Sequence, residues 1–368
     1  MQSTPMISLE SVTKTYPGES LPAVDRLTLD IAEGEIVVLV GPSGCGKTTT
    51  LKMINRLIEP TSGTIVVAGR NVLDVPAPTL RRGIGYVIQQ VGLLPHRTIA
   101  ENIATVPTLL DWDRRRIDER VDELFDVVDL DPAMRDRYPS ELSGGQRQRV
   151  GVARALAVDP PVMLMDEPFG AVDPIVRARL QDQFLDIQRR IGKTIVMVTH
   201  DIDEAIKLGD RIALLNVGGT LEQFDTPMNI LREPANDFVV DFLGNDRGLK
   251  RLSLISISEA TLEQGPVIAP SSSVEEARRV MARYDVDWIG IGEAGRLDGW
   301  VPGSVLEGRT NLEGLELLRF RSWLRLDSSL LDALDTVVSS HTSVAAVFDG
   351  DRYLGMLTAD TIGKEIIT

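Results

Sequence analysis

Eight consecutive residues combine the groups that bind phosphate and a divalent cation. They are Gly41, Pro42, Ser43, Gly44, Cys45, Gly46, Lys47 and Thr48. Glycines at this spacing let backbone N–H groups turn inward around a phosphate, Lys47 can reach the β- and γ-phosphates, and the Thr48 hydroxyl can hold Mg²⁺. Thr49 follows in the first helical turn, where backbone N–H groups are also free. Residues 41–49 are therefore predicted to bind the phosphates of a nucleotide.

The elements on either side give this loop a suitable setting. The apolar run at residues 36–40 predicts a buried strand, and residues 49–54 have helical spacing. The loop therefore joins a strand to a helix, whose N-terminus adds positive potential. The alternative, a glycine-rich turn without a ligand, does not account for these flanks.

Three more apolar runs end in polar side chains that can act on a phosphate. Gln89 ends one of them, Asp166 and Glu167 end the second, and His200 ends the third. Adjacent carboxylates on an extended strand point to opposite sides, so Asp166 can serve the Mg²⁺ shell while Glu167 serves a water. A histidine after a strand is more often structural. Here, however, all three strands point to one sheet edge, where doubly wound sheets bind ligands.

A second anion site is predicted where a helix begins at Ser143. Gly144, Gly145 and Gln146 follow this serine, and a helical pattern continues to about residue 156. The free N–H groups of such a helix start, together with two permissive glycines, form a cradle for an anion. Two phosphate cradles in one domain require an explanation.

The composition excludes several classes of protein. The 368 residues suggest two or three domains, and 39 Lys and Arg against 54 Asp and Glu give a net charge of −15. This acidity argues against nucleic acid as a partner. We find neither a signal-peptide pattern at the start nor an apolar run of about 20 residues. A cytosolic protein is therefore expected, unless a partner tethers it to a membrane.

The cysteine content favours a reducing compartment. Cys45 is the only cysteine, so a disulfide framework within the chain is excluded. Because it lies in an anion-binding loop at a helix N-terminus, we also predict a reactive thiol whose alkylation blocks activity and which ATP protects. The alternative is a small residue that merely fits.

The motifs together resemble the ATP-binding cassette (ABC) ATPase family over about residues 6–243. They occur in the order of that family: Tyr16 at the position of the aromatic A-loop, residues 41–48 as Walker A, Gln89 as the Q-loop, residues 142–146 as the signature, residues 163–167 as Walker B, residues 171–173 as the D-loop and His200 as the switch histidine. The resemblance implies an α/β fold of the P-loop NTPase type, with a RecA-like core, a small antiparallel sheet and a helical subdomain at about residues 92–158.

The same resemblance implies an activity, cofactors and a dimer. ATP and Mg²⁺ are the expected cofactors, with Tyr16 on the adenine, Thr48, Gln89 and Asp166 at the metal, and Lys47, Gln89, Glu167 and His200 as catalytic residues. Family members work as head-to-tail homodimers, in which the signature serine and glycines of one subunit close over the γ-phosphate held by the other. This dimer would explain the two cradles.

Segments around His200 are similar to importer ATPases, above all to those of quaternary-amine and proline osmoprotectants. They are residues 93–96, 205–210 and 226–243. The similarity implies integral membrane permease subunits, an extracytoplasmic substrate-binding protein and a place on the cytoplasmic face of the cell membrane. An importer for another small polar solute, such as an amino acid or polyamine, is the alternative. A non-transport ABC ATPase would usually carry two cassettes or a coiled coil, which this sequence lacks.

The remainder of the sequence contains an internal repeat. Ser272 and Ser328, Ala277 and Ala333, Arg296 and Arg352, and Gly299 and Gly355 are all pairs 56 positions apart. Such a constant offset marks a duplication, and each copy is too small to bury its own faces alone. The copies are therefore predicted to pack as a pair.

This pair resembles tandem cystathionine-β-synthase (CBS) domains of α+β type. The predicted boundaries are a linker at residues 244–255, a first repeat at 256–308 and a second at 309–368. The acid of the second copy, Asp360, stands one residue early for the usual ribose contact, and the first copy has Pro302 to Val305 at that place. Regulation by an adenine nucleotide, by a cyclic dinucleotide or by ionic strength therefore stays open, beside a purely structural dimerisation role.

Overall fold

A computed structural model describes residues 4–89, 92–170, 172–320 and 323–367. The chain divides into two compact units, residues 1–244 and residues 245–368. In the ranges just given, no helix combines the length and the apolar character needed to cross a membrane.

The first unit is built on two sheets. Its strands, in chain order, are β1 (Ile7–Lys14), β2 (Val24–Ile31), β3 (Ile36–Val40), β4 (Ser62–Val67), β5 (Arg70–Asn71), β6 (Ile84–Val87), β7 (Val162–Asp166), β8 (Thr194–Val198), β9 (Arg211–Asn216) and β10 (Thr220–Asp225). Strands β2, β1, β4 and β5 form an antiparallel sheet in that order. Leu27, Leu29 and Ile31 of β2 are buried and alternate with more exposed neighbours, as expected for a sheet with one face on the core.

The larger sheet positions the predicted site. Its order is β10-β9-β3-β8-β7-β6, with β9, β3, β8, β7 and β6 parallel and β10 antiparallel at one edge. Strands β3 and β8 are buried along their whole length. This burial explains their continuous apolar sequences, because a parallel sheet is covered on both faces. The carboxyl ends of β3, β6, β7 and β8 consequently lie at one edge.

Helices of the first unit connect and cover these strands. They are α1 (Lys47–Ile54), α2 (Ala77–Arg82), α3 (Ile99–Ile103), α4 (Thr105–Leu109), α5 (Arg114–Val127), α6 (Gly144–Leu156), α7 (Pro174–Ile191), α8 (Ile202–Leu208), α9 (Pro227–Arg232) and α10 (Asp237–Leu243). Helices α3 to α6 lie between β6 and β7, in the range expected for a helical subdomain. Val121, Leu124 and Phe125 form the buried stripe of α5. The predicted α/β fold with a second, small antiparallel sheet is confirmed.

The second unit contains two similar three-stranded sheets. Its elements are α11 (Arg247–Leu252), β11 (Val267–Ile268), α12 (Val274–Tyr284), β12 (Trp288–Glu293), β13 (Arg296–Pro302), β14 (Trp323–Arg325), α13 (Leu330–Ser339), β15 (Ala345–Asp349), β16 (Arg352–Leu357) and α14 (Ala359–Ile367). Strands β11-β12-β13 form one sheet and β14-β15-β16 the other, each with a parallel and then an antiparallel pair.

Irregular features of the two sheets repeat at the same offset as the sequence. The register shifts after Ile291 in the first sheet and after Val347 in the second. Gly299 has φ 158° and Gly355 has φ 154°, backbone conformations that L side chains rarely adopt. A duplicated backbone, including its irregularities, therefore underlies the sequence repeat.

The two copies exchange the segments that precede them. Leu252 and Ile257, ahead of the first copy, belong to the apolar core that contains α13, β15 and β16. Conversely, Leu312 from the segment between the copies packs into the core of α12, β12 and β13. The backbone of Glu263 bonds reciprocally to Met356, and that of Leu318 to Trp300. The repeat boundaries at 256–308 and 309–368 stay predictions, and each core takes in a segment from beyond the limit predicted between residues 308 and 309.

The segment predicted as a linker, residues 244–255, contains a helix. Residues Arg247–Leu252 form α11, and Leu252 is completely buried. The glycines and charged residues at positions 244–248 favour a domain boundary. For that reason Leu249 and Leu252 did not indicate a packed helix.

A small aromatic core joins the copies. Trp288 of β12 packs edge to face on Trp300 and Phe320, and its indole Nε1 donates to the carbonyl of Thr342 at 3.0 Å. The other buried members of this cluster are Val344, Ala346, Tyr353 and Met356. The copies therefore pack as a pair, as their small size predicts.

Candidate functional site

The predicted phosphate loop follows β3 and leads into α1. Gly46 precedes the helix with φ 89°, and a Cβ there would lie 2.3 Å from the carbonyl oxygen of Ala23. A Cβ on Gly41 would lie 2.1 Å from the carbonyl oxygen of Leu215. Only glycine fits these two positions, so the backbone wraps closely enough to turn its N–H groups toward an anion.

Lys47 is folded over the loop rather than extended into solvent. Its Nζ donates to the carbonyls of Gly41 at 2.7 Å and Pro42 at 2.9 Å, and the side chain is buried. The ammonium is thereby held at the mouth of the loop, where a bound phosphate would meet it.

Thr48 and Asp166 meet although 118 positions separate them. The Thr48 hydroxyl donates to Oδ1 of Asp166 at 3.0 Å. Burial raises the pKa of Asp166, while the bond from Thr48 and the charges of Lys52 and Lys47 oppose this rise. A hydroxyl and a carboxylate are the oxygen donors that Mg²⁺ prefers.

Glu167 is contacted on both carboxylate oxygens. The Gln89 amide Nε2 donates to Oε2 at 2.9 Å, and His200 Nδ1 lies 3.3 Å from Oε1. Glu167 itself has φ 45°, a conformation that only a few per cent of residues other than glycine adopt and that is enriched at functional sites. Ends of β6, β7 and β8 therefore converge on one carboxylate.

These groups surround a cleft of about 280 Å³. Its lining consists of Ala23, Ser43, Gly44, Cys45, Gly46, Lys47, Thr48, Thr49, Glu167 and His200. Sequence analysis missed Ala23, which precedes β2 and carries no chemical signal. Tyr86 on β6 is not among these lining residues; burial, and then the charge of Asp166, raise the pKa of its phenol to about 12.

Tyr16 lies in the turn after β1 and is 38% exposed. Lys14 Nζ stands 5.4 Å from the centre of its ring. Tyr16 does not belong to the lining of the 280 Å³ cleft. Its predicted contact with an adenine ring stays a prediction.

Cys45 is completely buried within the apolar core of the first unit. Its Sγ lies 3.5 Å from Lys47 Nζ, beneath the loop. A buried thiol gives an alkylating reagent no access, so the expectation of a reactive Cys45 is wrong on this point. The alternative, a small residue that fits, is favoured.

The second predicted cradle is a well-formed helix start. Ser143 Oγ accepts from the Gln146 N–H at 3.3 Å, and Gln146 Oε1 accepts from the Ser143 N–H at 2.8 Å. Gly144 and Gly145 lie between them, on the wall of a separate cleft of about 520 Å³. The two clefts share no lining residue among those that the structure describes. One chain therefore does not bring Ser143 to Lys47.

The predicted D-loop borders the second cleft. Asp173 begins α7 and accepts from the N–H of Val176 at 3.1 Å. Ala171 lies outside the described residues. Ile175, one position into the helix, is strongly exposed.

The chain matches the family description "ABC transporter" over residues 24–170. The osmoprotectant import ATP-binding protein OsmV of Salmonella typhimurium is 49% identical, over 97% of this chain and 95% of that protein. The choline transport ATP-binding protein OpuBA of Bacillus subtilis is 45% identical over 96% and 94%.

A solved structure supports the fold. The dimeric ATP-binding cassette MJ0796, bound to ADP and Pi, matches with a TM-score of 0.53 and 35% identity, over 60% of this chain and 99% of that one. Similarity to the two transport proteins extends through both units. The chain therefore belongs to the ABC transporter family, among the ATP-binding subunits of osmoprotectant-import type.

Proposed function

We propose that this ATPase drives the uptake of betaine-type compatible solutes through membrane permease subunits. The observation that carries the proposal is near full-length similarity to import and choline-transport subunits, in a chain whose polar strand ends converge beside a phosphate loop. Glycine betaine, choline, carnitine and proline are equal candidates, because the residues that select the solute lie on other chains. An importer of an amino acid or polyamine is the second candidate.

Nucleotide binding is assigned to the 280 Å³ cleft. The triphosphate lies along the backbone N–H groups of residues 43–49, and Lys47 exchanges its bonds to Gly41 and Pro42 for phosphate oxygens. Tyr16 stacks on the adenine.

The donor set fits Mg²⁺. Thr48, Asp166 and Gln89 offer a hydroxyl, a carboxylate and an amide oxygen, and Mg²⁺ is usually held by one or two carboxylates plus phosphate and water. Phosphate oxygens and water would supply the remaining ligands. When bound, the ion neutralises charge that develops on the phosphates.

Hydrolysis is assigned to Glu167 and His200. Glu167 accepts a proton from a water whose oxygen attacks the γ-phosphorus, while the bond between that phosphorus and the bridging oxygen breaks and ADP leaves. His200 steadies the γ-phosphate and the carboxylate from one side, and Gln89 does so from the other. A positioned base of this kind contributes roughly 10²–10⁴-fold in rate.

A homodimer is proposed because the two anion sites of one chain lie in different clefts. In a head-to-tail pair, Ser143 and Gly145 of one subunit would close over the nucleotide on Lys47 of the other.

Integral permease subunits and an extracytoplasmic substrate-binding protein complete the proposed importer. This chain is proposed to lie at the cytoplasmic face of the cell membrane, held there by the permease subunits. Nucleic acid is not a proposed partner, because the chain carries a net charge of −15.

The second unit is proposed to be a CBS pair that regulates the motor. The paired copies support this assignment, whereas the usual ribose contact lacks support. Thr358 and Thr361 bond to each other's backbone N–H groups at the start of α14, and Asp360 is exposed. Ionic strength and a cyclic dinucleotide therefore stay candidates beside an adenine nucleotide.

The test is ATP hydrolysis by the chain reconstituted with its permease and substrate-binding subunits. We expect stimulation by at least one of glycine betaine, choline, carnitine and proline, and none by spermidine or alanine. Stimulation by spermidine or alanine alone would replace the proposed solute class. A salt series run in parallel tests regulation by ionic strength.

A further inference from the structure

We infer that Arg177 is a positioning residue for ATP hydrolysis, because it joins the loop that follows Glu167 to the loop that carries His200. It lies in the first turn of α7. The inference rests on the roles proposed above for Glu167 and His200. Arg177 itself contacts neither of these side chains in the described structure.

One end of the guanidinium holds the loop after Glu167. Arg177 Nη2 donates to the carbonyl of Val172 at 3.1 Å. The Val172 N–H donates in turn to the carbonyl of Phe169 at 3.3 Å, and the Gly170 N–H to that of Glu167 at 3.1 Å. Two successive turns therefore connect Arg177 to the backbone of Glu167.

The other end reaches the residue next to His200. Arg177 Nη1 lies 3.5 Å from Oδ2 of Asp201. Oδ1 of the same carboxylate accepts from the N–H groups of Asp203 at 2.9 Å and Glu204 at 3.3 Å. Asp201 thus begins α8 and pairs with Arg177 at the same time, so the guanidinium fixes where the His200 loop enters its helix.

A second carboxyl group lies near this pair. Glu204 is buried and accepts from Gln181 Nε2 at 3.2 Å. Burial raises the pKa of Glu204 most, the charge of Asp201 raises it further, and the charge of Arg177 lowers it. The side chains of Arg177 and Asp201 are 29% and 34% exposed, so solvent screens the pair only in part.

The contacts close a ring that begins and ends at Glu167. From its carboxylate the ring passes to His200, through Asp201 and Arg177 to Val172, and back by the two turns to the Glu167 backbone. A shift of either loop therefore changes the distance of 3.3 Å between His200 and Glu167. Displacements of about 1 Å at reacting groups can cost on the order of 100-fold in rate.

The first experiment compares Arg177→Ala with Arg189→Ala in the full chain. Arg189 lies near the end of the same helix, where it is 74% exposed and pairs with Asp186. We expect Arg177→Ala to lower kcat roughly tenfold to a hundredfold. The KM for ATP should change by less than about threefold, since Arg177 does not line the nucleotide cleft. Arg189→Ala should behave as wild type.

A second set of variants separates positioning from stability. Asp201→Asn keeps an oxygen that can begin α8 but removes the charge that Arg177 pairs with. If the two residues act together, the double variant should lose no more rate than Arg177→Ala alone. Arg177→Lys should recover part of kcat, because an ammonium can satisfy Val172 or Asp201 but not both with planar geometry. Arg177→Gln replaces the alanine variant if the latter does not fold.

Three results would overturn the positioning role of Arg177. A kcat for Arg177→Ala within about twofold of wild type overturns the inference, as does a double variant whose losses multiply. A lower melting temperature with normal kcat assigns Arg177 to stability only, which also overturns it. Failure of the proposed site looks different, since Glu167→Gln would then hydrolyse ATP normally.

Discussion

His200 Nδ1 and Glu167 Oε1 lie 3.3 Å apart, although more than thirty positions separate the two residues in the sequence. Each residue follows one of two neighbouring strands. Parallel pairing of β7 with β8 places Asp166 opposite Val198, and the Glu167 N–H donates to the carbonyl of Val198 at 2.9 Å. Strand register therefore sets the approach of the histidine to the carboxylate. The second oxygen of Glu167 is occupied by Gln89. A water that is to be activated must accordingly share or displace one of these contacts.

The first prediction concerns Glu167→Gln. An amide keeps the shape of the side chain but cannot accept a proton from water, so ATP should bind while hydrolysis falls roughly 10²–10⁴-fold. Phosphate release and equilibrium nucleotide titration measure the two effects separately.

Glu119→Gln is the matched control, since Glu119 is an exposed residue of α5 that pairs with Arg115. It should retain wild-type turnover. Normal turnover in Glu167→Gln would remove this residue from the catalytic role.

The second prediction concerns Lys47→Ala. Loss of the ammonium should weaken ATP binding itself, because Lys47 is held by Gly41 and Pro42 at the mouth of the phosphate loop. Fluorescent-nucleotide titration should show a dissociation constant raised by at least about tenfold, on the order of 1.4 kcal/mol. Lys193→Ala, before the amino end of β8, serves as control. An unchanged dissociation constant in Lys47→Ala would contradict the assignment.

The third prediction is a pH-dependent gain of stability in Glu204→Gln. Burial raises the pKa of Glu204, and the bonds from Thr199 and Gln181 only partly oppose this rise. A raised carboxyl pKa means that the folded state favours the neutral form. The contribution of Glu204 to the free energy of unfolding is therefore fully present below the pKa of the unfolded chain. It is lost as the pH rises through the pKa of the folded state.

Chemical denaturation at about pH 5 and about pH 7.5 tests this sign, because the loss begins above the ordinary carboxyl pKa of 4.5. Gln should be more favourable than Glu at the higher pH, and its advantage should shrink toward acid. An advantage that grows as the pH falls would show that partner bonds outweigh burial at Glu204.

The fourth prediction concerns the helix at the start of the second unit. Leu252 of α11 is completely buried among residues of the second copy, whereas Leu249 of the same helix is exposed. Leu252→Ala should cost about 2–5 kcal/mol in the unfolding of this unit. Leu249→Ala should cost little. Hydrogen exchange of α13 reports the difference, and equal protection in both variants would return residues 247–252 to a linker.

Local sequence sufficed to predict the parts of the site that depend on consecutive residues. The strand, loop and helix at residues 36–54 form because glycine spacing and apolar runs act locally. The convergence of Gln89, Glu167 and His200 was also foreseeable, since parallel strands end at one edge. Their roles in hydrolysis stay predictions.

Other features depend on contacts between distant residues and could not be predicted. Nothing near Leu252 indicates that its core lies 78 positions further on, at Leu330 and beyond. The burial of Cys45 likewise follows from how α1 sits on the sheet, not from the loop sequence. Arg177 carries no motif signal of its own, since its importance comes from two loops that meet only in the fold.

The exchange of segments in the second unit has a consequence for synthesis on the ribosome. Ile257 leaves the exit tunnel long before Leu357, with which it shares a core. At ~5–20 residues per second, the interval between them is on the order of ten seconds. During that time the core that contains the apolar side chains of residues 252–262 is incomplete. The emerging chain is therefore exposed to chaperones and to aggregation until its last strand has been translated.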